Sequence, residues 1–268
     1  DKNTQMVFGN YIDVYDMTQA VADGSTVKIY YESRVIPLNL PQNLDLDEAY
    51  NDITEDQEED VKQRLKSKWS RIEALAGAKP RVEALAKDII QHFETRQQAM
   101  KGKGMIVTMS RRIAVDLYDE IIRLKPEWHS DDDDKGVIKV VMTGSSSDPA
   151  SFQRHIGPKK RRNVLEKRMK DVNDELQLVI VRDMWLTGFD VPSMHTMYID
   201  KPMKGHNLMQ AIARVNRVFK DKPGGLIVDY VGIAESLKEA LKEYTESDQA
   251  QTAIDTDKAV ELLSLIHI

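Results

Sequence analysis

The chain has 268 residues, of which 41% are hydrophobic and 31% are charged, a balance typical of a globular protein with a buried core. No stretch approaches the ~18–20 consecutive apolar residues of a membrane-spanning helix. The absence of cysteine excludes disulfides and thiolate metal sites, and the net charge of −6 gives no sign of nucleic-acid binding through bulk charge. Because the chain starts at Asp1, with neither an initiating Met nor a signal-peptide pattern, we expect a fragment of a longer protein or a processed chain.

The first hundred residues combine a short β-rich part with predicted helices. A helical segment ends at Gly24, and residues 27–38 are rich in side chains that favour strands. Between residues 45 and 99, apolar side chains recur every three or four positions, which indicates helices. Pro80 falls where one of these helices could begin, a position that tolerates its missing N–H.

Strands and helices alternate from Gly104 onward. The predicted strands cover residues 105–109, 137–142, 178–181, 196–199 and 226–231, and the predicted helices cover residues 113–124, 163–172, 207–218 and 233–244. Nearly continuous apolar strands that alternate with amphipathic helices indicate a parallel sheet covered on both faces. The sequence therefore predicts a doubly wound α/β domain.

Two runs of like charge stand out, nine acidic residues between Asp45 and Asp60 and the basic run Lys159–Arg162, which is followed by Lys167, Arg168 and Lys170. Such runs are usually solvated surface. A third, the acidic run Asp131–Asp134, we interpret as an exposed, mobile turn. For the basic run a role in facing phosphates stays open, because neutralisation of the nucleic-acid backbone drives non-specific binding.

One predicted helix carries three polar side chains suited to a ligand. Gln210, Arg214 and Arg217 are spaced by four and then three positions, so they would share one helical face. Leu208 and Ile212 would pack the opposite face against the sheet. Two guanidiniums are too costly to bury unpaired, and their planar forks suit phosphate. On spacing alone, an ordinary helix with solvent-facing arginines is an equally good interpretation.

A short turn follows the predicted strand 178–181. It contains Thr187, Gly188 and Asp190. Glycine permits a positive φ or a close backbone approach, and the two neighbours offer short polar groups. Ligands of parallel α/β sheets bind beyond the carboxyl ends of the strands. The turn is thus a candidate ligand contact, with a simple Asx-type turn as the alternative.

Taken together, these segments resemble superfamily 2 helicases and translocases, and most closely the motor (R) subunit of type I restriction enzymes. The turn is similar to their motif V and the helix to their motif VI, Gln-x-x-Gly-Arg-x-x-Arg, from which this chain departs at Ala213. Leu186–Pro192, Tyr198–Pro202 and Leu208–Arg217 match the family in the same order. The resemblance implies a RecA-like, doubly wound, mostly parallel sheet flanked by helices, with an additional N-terminal helical segment.

The resemblance implies a nucleotide site around the turn and the helix. Arg217, and Arg214 beside it, would act as catalytic arginine fingers on the phosphates of ATP. Gln210 would position the nucleotide or its attacking water. Gly188 and Asp190 would lie at the nucleotide edge of the same cleft.

A second implied group contacts the backbone of double-stranded DNA without reading bases. Ser110 and Arg111 follow the first strand of the alternating part, and Thr143 and Ser145 follow the next one. Thr187 on the turn would complete this group.

The resemblance also divides the chain. Residues 1–40 would be the crossing segment from the first motor lobe, residues 41–100 a helical insertion or bridge, and residues 101–245 the second RecA-like motor domain. Residues 246–268 would form a C-terminal linker or helix. Neither a Gly-x-x-x-x-Gly-Lys-Ser/Thr loop nor an Asp-Glu-x-His box is present. ATP and Mg²⁺ would therefore be bound mainly by an upstream lobe, and we expect this fragment alone to be inactive.

The implied full-length protein is an ATP-dependent type I deoxyribonuclease and DNA translocase. It would work with methyltransferase and specificity subunits in a bacterial or archaeal cytoplasm. The six histidines lack the spacing of metal ligands, so we expect no metal site. Two alternatives stay open: a motor lobe of another superfamily 2 enzyme, such as a type III restriction or repair enzyme, and a non-catalytic α/β module whose arginines bind anions or protein.

Overall fold

The computed structural model describes residues 21, 23–38, 69–144 and 148–245. Much of the predicted crossing segment, the first part of the helical insertion, the predicted C-terminal linker 246–268 and the candidate Ser145 lie outside the described residues. Within them, no helix has the length and apolar composition that crossing a membrane would require.

A six-stranded sheet organises the described residues. Its strands are β1 (Lys28–Ser33), β2 (Lys103–Thr108), β3 (Ile138–Val140), β4 (Leu178–Val181), β5 (Met194–Asp200) and β6 (Gly224–Asp229). Their order in the sheet is β1-β6-β5-β2-β4-β3, and every pairing between them is parallel. The carboxyl ends of all six strands therefore lie at one edge of the sheet.

Helices alternate with these strands along the chain. They are α1 (Lys79–Ala99), α2 (Arg111–Leu124), α3 (Ala150–Gln153), α4 (Lys159–Lys170), α5 (Gly205–Val215) and α6 (Ala234–Thr245), with a 3₁₀ turn at Pro126–Trp128. A further helix covers residues 69–76. The elements predicted from periodicity within the described residues are present, with bounds that shift by a few residues.

The two faces of the sheet are both buried. Along β2, Met105 packs into the cluster that contains the apolar sides of α4, α5 and α6, whereas Ile106 packs into the cluster that contains α1 and α2. Successive side chains of a strand point to opposite faces, so both must be apolar where both faces are covered. Leu208 and Ile212 of α5 are fully buried against the sheet, as predicted. The doubly wound α/β prediction is confirmed.

Two segments outside the predicted motor domain 101–245 contribute to this sheet. β1 pairs with β6 along its whole length, from Lys28 opposite Gly224 to Ser33 opposite Asp229. α1 buries Leu85 in the cluster over one face. The sheet domain thus takes chain from both N-terminal divisions, whereas the roles assigned to those divisions stay predictions.

The helix that carries the candidate arginines ends earlier than predicted. α5 stops at Val215, so Arg217 lies beyond it and does not extend the helical face of Gln210 and Arg214. The reason is a competing backbone contact. The Val27 N–H donates to the Asn216 carbonyl at 2.8 Å, and residue 217 forms an antiparallel bridge with Thr26.

The interpretation of the basic run and of Arg168 after it as solvated surface is wrong in part, and the acidic residues between Asp45 and Asp60 lie outside the described residues. Arg161 and Arg168 of α4 are buried, and both bind the acidic loop. The Arg161 Nε donates to the Asp133 carboxylate at 2.7 Å, and the Arg168 Nη1 donates to the Asp133 carbonyl at 3.1 Å. Buried Lys139 donates to two further carbonyls of the loop. Buried cations therefore hold the acidic run in place. The carbonyls and the carboxylate of the loop replace the water that these cations lose on burial.

Candidate functional site

The predicted turn lies in the long loop between β4 and β5. Gly188 has φ +67°, and a side chain there would meet no atom within 4 Å, so the backbone conformation alone favours glycine. Trp185 also has a positive φ, +66°, and its ring stacks on that of Phe189 with 4.2 Å between centroids. The aromatic contact folds the loop back on itself and buries Phe189.

Arg214 joins this loop to α5. Its Nη1 donates to the carbonyl of Phe189, and its Nε donates to the Gln210 carbonyl at 3.2 Å. Partial burial lowers the pKa of the Arg214 guanidinium, and the nearby positive charge of Arg217 lowers it further. The loop and the helix are therefore held together by a cation that still has unused N–H donors.

Arg217 and Asp190 face each other across the same junction. The Arg217 Nε lies 3.6 Å from the Asp190 Oδ1, and the two side chains are 47% and 59% exposed. We call Phe189, Asp190, Arg214 and Arg217 the arginine site. It holds two guanidiniums and one carboxylate, which leaves an excess positive charge that is open to solvent.

Gln210 stands one turn before Arg214 on α5. Its side-chain amide Nε2–H donates to the His206 Nε2, in the histidine tautomer that carries no proton on that nitrogen. Gln210 is half-buried and close to the arginine site along the helix. Its predicted role in positioning a nucleotide or water stays a prediction.

A cleft lies at the carboxyl edge of the sheet, with a volume of about 440 Å³. The residues that line this edge cleft are Arg111, Val141, Met142, Thr143, Gly144, Asp148, Arg182, Asp183 and Met184. They follow β2, β3 and β4, whose carboxyl ends meet here. The loop after β4 thus lines the edge cleft at its start and forms the arginine site farther along.

Arg111 is already engaged within the edge cleft. Its two terminal nitrogens bind the two Asp148 oxygens at 2.7 and 2.9 Å, and one of them also donates to the Thr143 carbonyl at 3.0 Å. Its guanidinium lies 5.4 Å from the centre of the Phe152 ring. A phosphate bound at Arg111 would therefore compete with a carboxylate for the same fork of donors.

The other predicted backbone contacts differ in their surroundings. Ser110 caps α2, because its hydroxyl accepts a hydrogen bond from the Ile113 N–H at 3.3 Å. Thr143 lines the edge cleft and is exposed, and Thr187 is exposed on the loop that forms the arginine site. Ser145 lies outside the described residues. The structure thus brings Arg111 and Thr143 together, with Thr187 on an adjoining loop.

Sequence reasoning missed the three other charged residues of the edge cleft, Asp148, Arg182 and Asp183. Arg182 and Asp183 directly follow β4, so their position at a strand end was a usable signal. Asp148 had no local signal, because its partner Arg111 belongs to a distant part of the chain. Among the described residues, no group of three or more His, Asp or Glu side chains is placed to hold a metal ion.

Comparison with protein families places these features in context. The model for type I restriction enzyme subunit R domain 3 matches residues 91–232, more than half of the chain, and the model for the SWI2/SNF2 ATPase matches residues 1–63. This chain belongs to the type I restriction enzyme R subunit family. The resemblance drawn from the turn and the helix is thereby confirmed.

Similar proteins carry the same description. The chain is 53% identical over 251 residues to the type I restriction enzyme HindI endonuclease subunit of Haemophilus influenzae, a match that covers 92% of this chain and 23% of that protein. It is 45% identical over 261 residues to a putative type I restriction enzyme MjaIXP endonuclease subunit of Methanocaldococcus jannaschii, with 96% and 24% covered. The chain therefore spans about a quarter of the length of these relatives.

Among solved structures, the DNA-bound ATP-dependent Type ISP restriction-modification enzyme LlaBIII aligns with a TM-score of 0.45 and 11% identity, covering 86% of this chain and 14% of that one.

Proposed function

We propose that this R-subunit chain is the second motor lobe of an ATP-dependent DNA translocase in a type I restriction endonuclease complex. The observation that carries the proposal is the arginine site. Two guanidiniums, one on α5 and one just beyond it, meet the loop after β4 and face a single carboxylate. Two guanidiniums against one carboxylate leave one positive charge unpaired, and the phosphates of a nucleotide would complete this group of charges.

The residues present fit a role as phosphate-binding arginines. ATP with Mg²⁺ on its phosphates would supply the free energy of phosphoryl transfer, and both would be held mainly by the first lobe. Arg217, which is 47% exposed, would stabilise negative charge on the phosphate oxygens, with Arg214 as a second donor. Gln210 would orient a water or the nucleotide, and Gly188 and Asp190 would border it.

For the DNA backbone we propose the edge cleft as the contact surface. Arg111 and Thr143 line it, and Ser110 and Thr187 would add hydroxyl groups from neighbouring loops. Ser145, which belongs to the same proposed group, lies outside the described residues. Hydroxyl groups and arginines at loop ends can bind phosphates without contacting the edges of the bases. The partner would be double-stranded DNA, and methyltransferase and specificity subunits would complete the complex in the cytoplasm.

Substitution of Arg217 in the full-length subunit tests this function. We expect Arg217→Ala to lower the DNA-stimulated ATP turnover by about 10³-fold or more, because removal of an arginine finger has that effect in related chemistry. Arg123→Ala is the matched control, since Arg123 is also exposed and ion-paired but lies on α2. Unchanged ATP turnover in Arg217→Ala would refute the assignment.

The isolated chain provides a second test. It carries the proposed arginines but no phosphate-binding loop of the Walker type. We expect it to show neither DNA-stimulated ATP hydrolysis nor DNA cleavage. ATP turnover by the isolated chain above that of its Arg217→Ala variant would contradict the proposal that a first lobe must bind ATP and Mg²⁺.

A further inference from the structure

A buried lysine lies between the two arms of the arginine site, which are the loop after β4 and the end of α5. Lys222, in the segment between α5 and β6, is only 7% exposed. Its ammonium donates hydrogen bonds to three backbone carbonyls, those of Pro192, Met194 and Val215, each at 3.0 Å. In the described part of the chain, no carboxylate forms an ion pair with it.

The three carbonyls belong to the two arms that form the arginine site. Pro192 lies two residues after Asp190 in the loop, and Met194 begins β5. Val215 is the last residue of α5, one residue after Arg214 and two before Arg217. A cation at the C-terminus of a helix satisfies carbonyls that have no partner within the helix. Lys222 therefore bonds the loop arm and the helix arm at once.

Two further contacts hold the end of α5 in place. A Cβ at Gly225 would overlap the carbonyl group of Val215, so β6 approaches the helix end as closely as glycine permits. On the other side, the Val27 N–H donates to the Asn216 carbonyl at 2.8 Å. The backbone that leads to Arg217 is thus fixed by a side chain, a close approach and a backbone bond.

We propose that Lys222 is a positioning residue of the arginine site: it fixes the distance between the loop that carries Asp190 and the helix end that carries Arg214 and Arg217. This inference rests on the proposed function. Arginines that stabilise a developing charge must be held within a fraction of an ångström of the productive geometry, and small misplacements reduce turnover strongly.

Lys103 offers a matched control for a purely structural role. It is 2% exposed, and its ammonium likewise donates to backbone carbonyls, to Asp174 at 2.8 Å and also to Leu176. Burial lowers the pKa of both lysines to about 8. The ammonium of Lys103, at the start of β2, braces the segment before β4 and donates to neither arm of the arginine site. Only its main-chain N–H, which the substitution retains, bonds the loop arm, at the Ser193 carbonyl. Loss of buried lysine contacts in general should therefore affect both positions alike.

The experiment compares Lys222→Met, Lys103→Met and Arg217→Ala in the full-length subunit. Thermal unfolding and steady-state DNA-stimulated ATP hydrolysis are measured for each variant. We expect the two lysine variants to lose similar thermal stability, whereas only Lys222→Met loses turnover. Its kcat should fall by about 10- to 100-fold. Its KM for ATP should stay within about twofold, because groups that act in the transition state affect kcat.

A second variant covers the case in which Lys222→Met does not fold. Gly225→Ala displaces the Val215 carbonyl, one of the three acceptors of Lys222, and with it the end of α5. It leaves the side chains of Lys222 and both arginines unchanged, and we expect it to lower kcat in the same manner. A wild-type kcat in folded Lys222→Met, or in Gly225→Ala if Lys222→Met is unfolded, overturns the inference. An equal loss in Lys222→Met and Lys103→Met also overturns it. If Arg217→Ala retains turnover, the proposed function itself fails, whatever the lysine variants do.

Discussion

The Arg217 Nε lies 3.6 Å from the Asp190 Oδ1, although the two residues belong to different elements and Arg217 is no longer part of α5. Arg217 is held in this place by the backbone around it, through the bridge to Thr26 and the bond from Val27 to Asn216. The backbone contacts therefore fix the Cα of Arg217, and Asp190 is the carboxylate that faces its side chain.

Substitution of Asp190 separates these two contributions. Asp190→Asn removes the carboxylate but keeps the size of the side chain. Because the ion pair is about half exposed, we expect a loss of at most ~1 kcal/mol in the free energy of unfolding. In the full-length subunit, we expect kcat for ATP hydrolysis to fall by about tenfold, since Arg217 loses its orienting partner. Urea unfolding and steady-state kinetics measure the two effects. A large stability loss with unchanged kcat would show that the pair is structural.

The Arg111–Asp148 pair predicts opposite effects of two substitutions on DNA binding. In the full-length subunit, Arg111→Ala should reduce the slope of log K against log salt concentration by about 0.9, the value for one phosphate contact. Asp148→Asn should strengthen non-specific binding, because it releases the fork of Arg111. Arg123→Ala serves as the control for loss of an exposed arginine. An unchanged slope in Arg111→Ala would exclude a phosphate contact at this residue.

The buried pair of Arg81 and Asp200 predicts a large loss of stability. Asp200 is fully buried, and two nitrogens of Arg81 bind its oxygens at 2.6 and 3.2 Å. Burial raises the pKa of Asp200 even though Arg81 opposes the shift. Arg81→Met leaves the carboxylate without its partner, so we expect a loss of about 3–5 kcal/mol in urea unfolding. The double variant Arg81→Met with Asp200→Leu should regain part of this; no regain would contradict the cause given.

Buried histidines predict that acid lowers stability. Burial lowers the pKa of His155 to about 3, and the charges of Arg154 and Arg161 add to the shift. The unfolded chain takes up this proton near pH 6.5, so the stabilisation is complete above that pH and is lost as the pH falls towards 3. His195 behaves in the same way.

Unfolding measured between pH 5 and 6.5 checks this expectation, because ordinary carboxylates titrate at lower pH. Each histidine should contribute up to about 1.4 kcal/mol per pH unit to the slope of the unfolding free energy. His155→Gln should remove one such contribution. Equal slopes for the variant and the wild type would show that His155 is not kept neutral by the fold.

The sequence alone determined the class of the fold and the family. Strands buried on both faces must be apolar throughout, and helices over a sheet must carry apolar side chains every three or four residues. The apolar runs at 105–109 and 178–181 were therefore sufficient to predict buried strands. The turn at Gly188 was also predictable, because a left-handed conformation favours glycine whatever surrounds it. The matching order of short motifs supplied the family, which spacing alone left undecided.

Only the tertiary structure decided which groups meet. Arg217 was expected on the face of α5, yet a bridge to Thr26 ends the helix first, and that contact joins residues far apart in the chain. Tertiary contacts likewise bring the Asp148 carboxylate to Arg111 and the backbone carbonyls to Lys222. Helix and strand periodicity is a local property of the chain. The partners of buried or paired charges, in contrast, are determined by the order of the strands and the paths of the loops. A single sequence carries no local record of these.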